Sequence, residues 1–285
     1  WLLYTMLFLV VIALGYAISY IYNDPGILVI AVMFSIIMSF TSYWFSDKIV
    51  LKMSKAAPAT HENNKELYHI VENLSITAGI PMPKIYIVDE QSPNAFATGR
   101  NPEHAVVAVT TGLLKKLDRS ELEGVLAHEL SHIGNYDMLI STMVVVLVGF
   151  ISIASDIFTR SMLWGGGRRR DSRGGGNGVI ILVGIVLMIL APIAAMLIKL
   201  AISRKREFLA DASGALLTRY PDGLANALIK ISSDTTPLSV VNNTTAHLWL
   251  DDPFKKNQKG NWFHGLFQTH PPVNERVAAL RGMKV

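Results

Sequence analysis

Asp118 to Gly134 read DRSELEGVLAHELSHIG, and one helix accounts for the whole run. Asp118 and Glu121 have capping-box spacing, each side chain in reach of the other's backbone N–H. Leu122, Leu126, Leu130 and Ile133 recur at intervals of four, four and three, the stripe by which a helix buries one face. On the adjacent face His128 and His132 stand one turn apart, so two imidazoles can grip one metal ion. Chance would place a His-Glu-x-x-His pattern in a chain of this composition roughly 0.008 times, so the pattern carries weight. Gly134 falls where a left-handed residue would end the helix, and Asp137 suits the cap of whatever follows.

Two histidines do not complete a catalytic zinc site, which takes three protein ligands and leaves one position open. Cysteine is excluded, because the chain has none. No third histidine follows closely: residues 133–138 are Ile, Gly, Asn, Tyr, Asp and Met. The best carboxylate candidate is Glu207, in Glu207-Phe208-Leu209-Ala210-Asp211. On a helix Asp211 stands one turn beyond Glu207, placed to accept a hydrogen bond from a ligand histidine and fix its tautomer.

The 285 residues carry 26 Lys+Arg against 22 Asp+Glu, a net charge of +4, with 51% hydrophobic residues and a mean hydropathy of +0.35. Every charge lies outside four segments, 1–22, 27–46, 138–155 and 179–198. Each is long enough to cross a bilayer, and the remainder is charged like an ordinary soluble protein. The expected organisation is a membrane hairpin over 1–46, then a first catalytic part over 47–137. A second hairpin follows over 138–203, with spans 138–158 and 179–201, and a second catalytic part over 204–285. Asn23-Asp24-Pro25-Gly26 is a turn closing the first hairpin. Trp1 in place of Met points to a short N-terminal stretch outside this sequence.

Lys48, Lys52 and Lys55 follow the second span, and Lys199, Arg204, Lys205 and Arg206 follow the fourth. The positive-inside rule then turns 47–137 and 199–285 to the cytoplasm, as in a multi-pass protein of a cell inner or plasma membrane. Against this, Arg160, Arg168, Arg169, Arg170 and Arg173 belong to the loop between the last two spans. Full crossing is the preferred reading, and it leaves His132 and Glu207 on one side. No phosphate loop, dinucleotide fingerprint or nucleic-acid module occurs, so nucleic acid is not an expected partner. The lipid bilayer and membrane-protein or peptide substrates are; oligomeric state is left open.

The His128 to His132 motif, Arg206-Glu207-Phe208-Leu209-Ala210-Asp211, Pro93-Asn94-Ala95-Phe96-Ala97-Thr98-Gly99 and Thr269-His270-Pro271-Pro272 with Glu275-Arg276 together resemble the HtpX membrane zinc proteases, relatives of the CAAX prenyl proteases. The resemblance runs over nearly the whole chain and implies one Zn2+ on His128, His132 and Glu207, with Glu129 as general base. The fold class it implies is an α-helical membrane protein with four transmembrane helices and a mainly α, zincin-like domain containing a small β-sheet. The implied activity is endopeptidase hydrolysis in quality control of misfolded membrane proteins. Site-specific, CAAX-like processing is the enzymatic alternative, and a membrane scaffold with structural zinc the non-enzymatic one.

Lys84 to Val88 and His104 to Thr110 are rich in β-branched residues and should form strands. In zincin-like proteases an edge strand pairs with the substrate backbone, and Asn94, Ala95 and Phe96, within Asn94 to Thr98, are the candidates; an ordinary loop of small residues is the alternative. His270 would stand near the metal, stabilising an oxyanion or blocking the open position, or else order the following helix. Arg276 would brace Glu207 or Asp211, or form a surface ion pair. His61, His69, His104, His247 and His264 lack ligand spacing and read as surface or packing residues. Tyr220-Pro221-Asp222-Gly223 precedes an amphipathic helix through Leu224, Leu228 and Ile231. The irregular stretch 234–268, with Trp249, Phe254, Trp262, Phe263 and Phe267, shapes a cleft or lies at a membrane surface.

Overall fold

Strand and helix signals in the first catalytic part resolve into a small mixed sheet with most of the helices on one face. The computed structural model describes residues 23–141, 204–236, 248–250 and 271–284, with isolated positions between 5 and 20. The chain divides into two compact units, Trp1–Phe45 with Val146–Ala194 and Ser46–Val145 with Ala195–Val285. In the first, helix α1 (Pro25–Trp44) starts as the turn sequence requires: Pro25 opens the first turn and Asp24 Oδ1 accepts the Gly26 N–H at 2.8 Å. Val29, Ile30, Met33, Ile36, Ile37 and Phe40 of α1 are exposed.

Among the described residues no helix is long and apolar enough to cross a membrane, so the four-span count is not established. Most of span 1–22, nearly all of spans 138–158 and 179–201, and the Gly/Arg-rich loop lie outside the described residues.

The second unit is mainly helical. It opens with α2 (Ser46–Met53), strand β1 (Ala57–Pro58) and α3 (Lys65–Ala78); β1 and the later strands β2 (Lys84–Val88), β3 (Ala95–Thr98) and β4 (Val106–Thr110) form one sheet in the order β1-β2-β4-β3. Strands β2 and β4 run parallel, with Lys84 opposite Val106, whereas β3 runs antiparallel to β4, with Ala95 opposite Val109. Alternation sends Ile85, Ala95, Ala97, Val107 and Val109 to the helical face and Val88, Phe96 and Ala108 to the other. The strand in His104–Thr110 is shorter than that stretch, because Pro102–His104 is a 3-10 turn capped by Asn101 Oδ1.

Helix α4 (Thr111–Lys116) leads into α5 (Arg119–Gly134), the central helix. Its capping box is complete: Asp118 Oδ1 accepts the Glu121 N–H at 3.0 Å and Glu121 Oε2 accepts the Asp118 N–H at 2.9 Å. Leu122, Leu126, Leu130 and Ile133 are all buried, as their spacing requires. The helix ends two residues later than Gly134 suggests. Asn135 is the C-cap, and Tyr136, not Gly134, takes the left-handed conformation at φ 61°.

Helices α6 (Arg204–Thr218) and α7 (Pro221–Ser233) pack against α5, and α8 (Val273–Arg281) packs on α7 and α6. Pro221 lies in the first turn of α7, and Leu224, Leu228 and Ile231 are buried on its inner face. Two close approaches set the spacing. A Cβ on Gly124 of α5 would lie 2.6 Å from the Leu224 nitrogen of α7, and one on Gly214 of α6 would lie 3.0 Å from the His128 nitrogen. Backbone therefore meets backbone at both points, and at the second it does so beside His128.

Candidate active site

Helix α5 projects His128 and His132 from one face, and α6 brings Glu207 against them. The His128 and His132 Nε2 atoms are 3.2 Å apart, and the Glu207 carboxylate lies 3.7 Å from the first and 3.6 Å from the second. Ligands at zinc bond lengths of about 2.0–2.1 Å in tetrahedral array stand about 3.3 Å from one another, so this triangle has the size of a zinc site. Among the described residues it is the one group of three such side chains close enough to hold a metal ion. Two imidazoles, each neutral once a metal has displaced any Nε2 proton, form with one carboxylate a donor set that suits zinc.

Each imidazole is held through its other nitrogen. His128 Nδ1 lies 3.0 Å from Asp211 Oδ1, and His132 Nδ1 lies 3.1 Å from Asp137 Oδ2. The carboxylates thus leave both Nε2 atoms turned inward. Arg276 from α8 grips Asp211 with two bonds, Nε to Oδ2 at 2.8 Å and Nη2 to Oδ1 at 2.6 Å. Its Nη2 also lies 3.5 Å from both ring nitrogens of His128, and its Nη1 3.9 Å from Glu207. Arg276 is only 1% exposed, so the surface ion-pair reading is wrong: the side chain is an internal brace touching both carboxylates.

Protonation follows from these contacts. Burial alone would raise Asp211, but hydrogen bonds from Arg276 and His128 hold it at about 2. Burial lowers His128, and the nearby Arg276 charge adds to that against the pull of Asp211. Burial also opposes a charge on His132, yet its hydrogen bond to Asp137 and the fields of Glu207 and Glu129 prevail and raise it to about 9. Glu129 follows His128 directly and is itself buried.

Asp137 went unrecognised as a site residue, because its position just past a helix end has the signature of a cap for the next segment. The left-handed Tyr136 reverses the chain and returns that carboxylate to His132. His270 lies outside the described residues. Asn94, Ala95 and Phe96 are fully buried, which rules out a surface loop. Ala95 and Phe96 belong to β3, at the end of the sheet and packed on α5. His61 packs edge-on to Tyr68, with ring centroids 5.3 Å apart, and stands 5.8 Å from His69, while His104 bonds Asn101; His247 and His264 lie outside the described residues.

Residues 61–284 match the model of peptidase family M48. A protease HtpX homolog of Tropheryma whipplei (strain Twist) is 47% identical over 241 residues, covering 85% of this chain and 80% of its own. One from Caldanaerobacter subterraneus is 43% identical over 288 residues, covering 99% and 94%. The crystal structure of S. mikatae Ste24p superposes with a TM-score of 0.53 at 19% identity. That match covers 95% of this chain but spans only 62% of the Ste24p chain, and it speaks for the fold alone. With that match over most of the chain and a zinc-sized triangle at its centre, the chain belongs to peptidase family M48 and is a zinc metalloprotease.

Proposed function

We propose that this protease is an integral membrane endopeptidase of a cell inner or plasma membrane. Its catalytic part faces the cytoplasm, and its work is quality control of misfolded membrane proteins. The observation that carries the catalytic reading is the triangle of His128, His132 and Glu207 at 3.2–3.7 Å with buried Glu129 beside it. Support for the membrane comes from the four uncharged segments and from the exposed apolar side chains of α1. The relatives are named protease HtpX homologs, and the quality-control role is taken from the resemblance to the HtpX membrane proteases.

Zinc, when bound, supplies a Lewis acid that acidifies water and polarises a carbonyl. The chain's own residues do the rest. Asp211 and Asp137 keep the Nδ1 protons of His128 and His132 in place, so that both rings present Nε2. Glu129 accepts a proton from the attacking water at its carboxylate and delivers it to the leaving amine nitrogen. Arg276 holds Asp211 charged. The resemblance assigns His270 to stabilising the developing oxyanion, and Asn94, Ala95 and Phe96 to an edge for an extended peptide.

The test is zinc content and chelator-sensitive proteolysis in detergent, wild type beside Glu129→Gln. Glu129→Gln should keep its zinc and its melting temperature while cleavage falls by about 10²–10⁴-fold. Substantial proteolysis by the metal-loaded variant would sink the assignment, and zinc without any chelator-sensitive activity in the wild type would favour a scaffold. Scattered cleavage sites in several membrane substrates support quality control, whereas one fixed site points to CAAX-like processing. With no native cysteine in the chain, Ser172→Cys should label only from the non-cytoplasmic side.

A further inference from the structure

Strand β3 is the last strand of its sheet, and its register shows which backbone groups look outward. Asn94 O accepts the Thr110 N–H at 3.0 Å, so Asn94 faces β4 and Ala95, one residue on, turns its backbone groups to the free edge. That edge is not bare. Leu250 N–H donates to Ala95 O at 3.1 Å. The side chains around this bond reach both faces of the sheet: Leu250 joins the core on the α5 face, and Leu248 and Trp249 join the opposite cluster with Val50, Val88, Phe96 and Ala108. Trp249 stacks edge-on to Phe96, with centroids 4.8 Å apart, and Leu248, Trp249 and Leu250 are all buried.

The Leu250 backbone therefore meets β3 where the backbone of an added strand would, on the edge that packs against the helix carrying His128 and His132, although residues 248–250 form a tight turn and not a strand. We infer that Leu248–Leu250 is a strap that occupies the substrate edge at Ala95 and must leave before an extended peptide pairs there. The inference rests on β3 being the substrate edge of the proposed protease. A carbonyl oxygen can accept a second bond, but a second backbone cannot occupy the space that Leu250 fills. Substrate and strap thus compete, and the resting protease holds itself closed until a peptide or a partner displaces the strap.

Leu250→Pro tests this directly, because proline has no N–H to donate to Ala95. Metal-loaded wild type and variant are compared in detergent on an unstructured fluorogenic peptide, with the affinity of the labelled peptide read by anisotropy. The expected result is several-fold tighter peptide binding and a matching fall in KM, with kcat little changed. A folded Leu250→Pro that binds peptide no tighter than wild type overturns the proposal. Should that variant fail to fold, hydrogen exchange of the 248–250 amides in zinc-loaded Glu129→Gln decides the matter. Faster exchange at saturating peptide supports the strap, and unchanged protection overturns it. A wild type that cleaves no peptide breaks the functional reading instead, while the binding and exchange results still judge the strap.

Discussion

The two ends of α5 use charge in opposite ways. At the N-terminal end Asp118 and Glu121 satisfy each other's backbone, Lys230 Nζ reaches Glu121 Oε2 at 2.6 Å, and the Asp118 side chain is 60% exposed. At the C-terminal end His128, Glu129, Glu207, Asp211 and Arg276 are all buried. At the first end Asp118 stands in water, and Glu121, though buried, keeps the part-exposed Lys230 beside it. The charges at the second end are stable only as a set, because removing one leaves a partner uncompensated in a place water cannot reach. One end serves folding, and the other holds groups that folding alone would not collect.

Four substitutions, two of them with companion variants, would break or sharpen that contrast. The largest effect belongs to Glu207→Ala, which should bring zinc content close to zero and abolish cleavage; stoichiometric zinc by elemental analysis would show that the buried end does not ligate. Arg276→Ala strands Asp211 and should cost about 3–5 kcal/mol in denaturant unfolding, with Arg276→Lys recovering part of it. A loss below about 1 kcal/mol would erase the difference between the ends.

Gly214→Ala forces a methyl group against the His128 backbone and should cost about 1–3 kcal/mol and weaken zinc retention. Gly134→Ala is its control, since the nearest atom would lie at 3.9 Å; it should be neutral or stabilising by up to about 1 kcal/mol.

The smallest effect falls at the exposed end. Asp118→Ala should cost about 1 kcal/mol and leave cleavage per folded molecule unchanged. The Glu121 backbone N–H and the Ser120 hydroxyl hold the Asp118 carboxyl below its ordinary value. Its contribution is therefore complete above the unfolded value of about 3.9 and is lost as pH falls through the lower folded one. The melting-temperature gap between wild type and Asp118→Ala should narrow below about pH 4. A gap constant with pH would show that the carboxylate charge does not stabilise the cap.

What could be seen from residues alone was what short range encodes. The capping box, the leucine stripe and the His128–His132 pair are each fixed within one or two helical turns, and all three are present. Glu207 lies 75 residues beyond His132 and was found through its own local pattern with Asp211. The burial of Arg276 could not be seen, since an arginine after a Pro-Pro pair has the look of a surface residue until α8 docks. Asp137 was misjudged because one carboxylate past a helix end can serve either the helix ahead or the histidine behind. The bond from Leu250 to Ala95 was out of reach altogether, for a backbone pairing between distant segments leaves no mark on side-chain chemistry.

The glycine contacts of α5 bear on dimensional tolerance. Where Gly214 meets His128 and Gly124 meets Leu224, no side chain intervenes, so helix separation is referenced to main-chain atoms rather than to rotamers that can swing or be exchanged. A ligand mounted beside such a contact inherits its small positional error. Surface and core residues elsewhere can then change while the spacing between His128 and Glu207 holds.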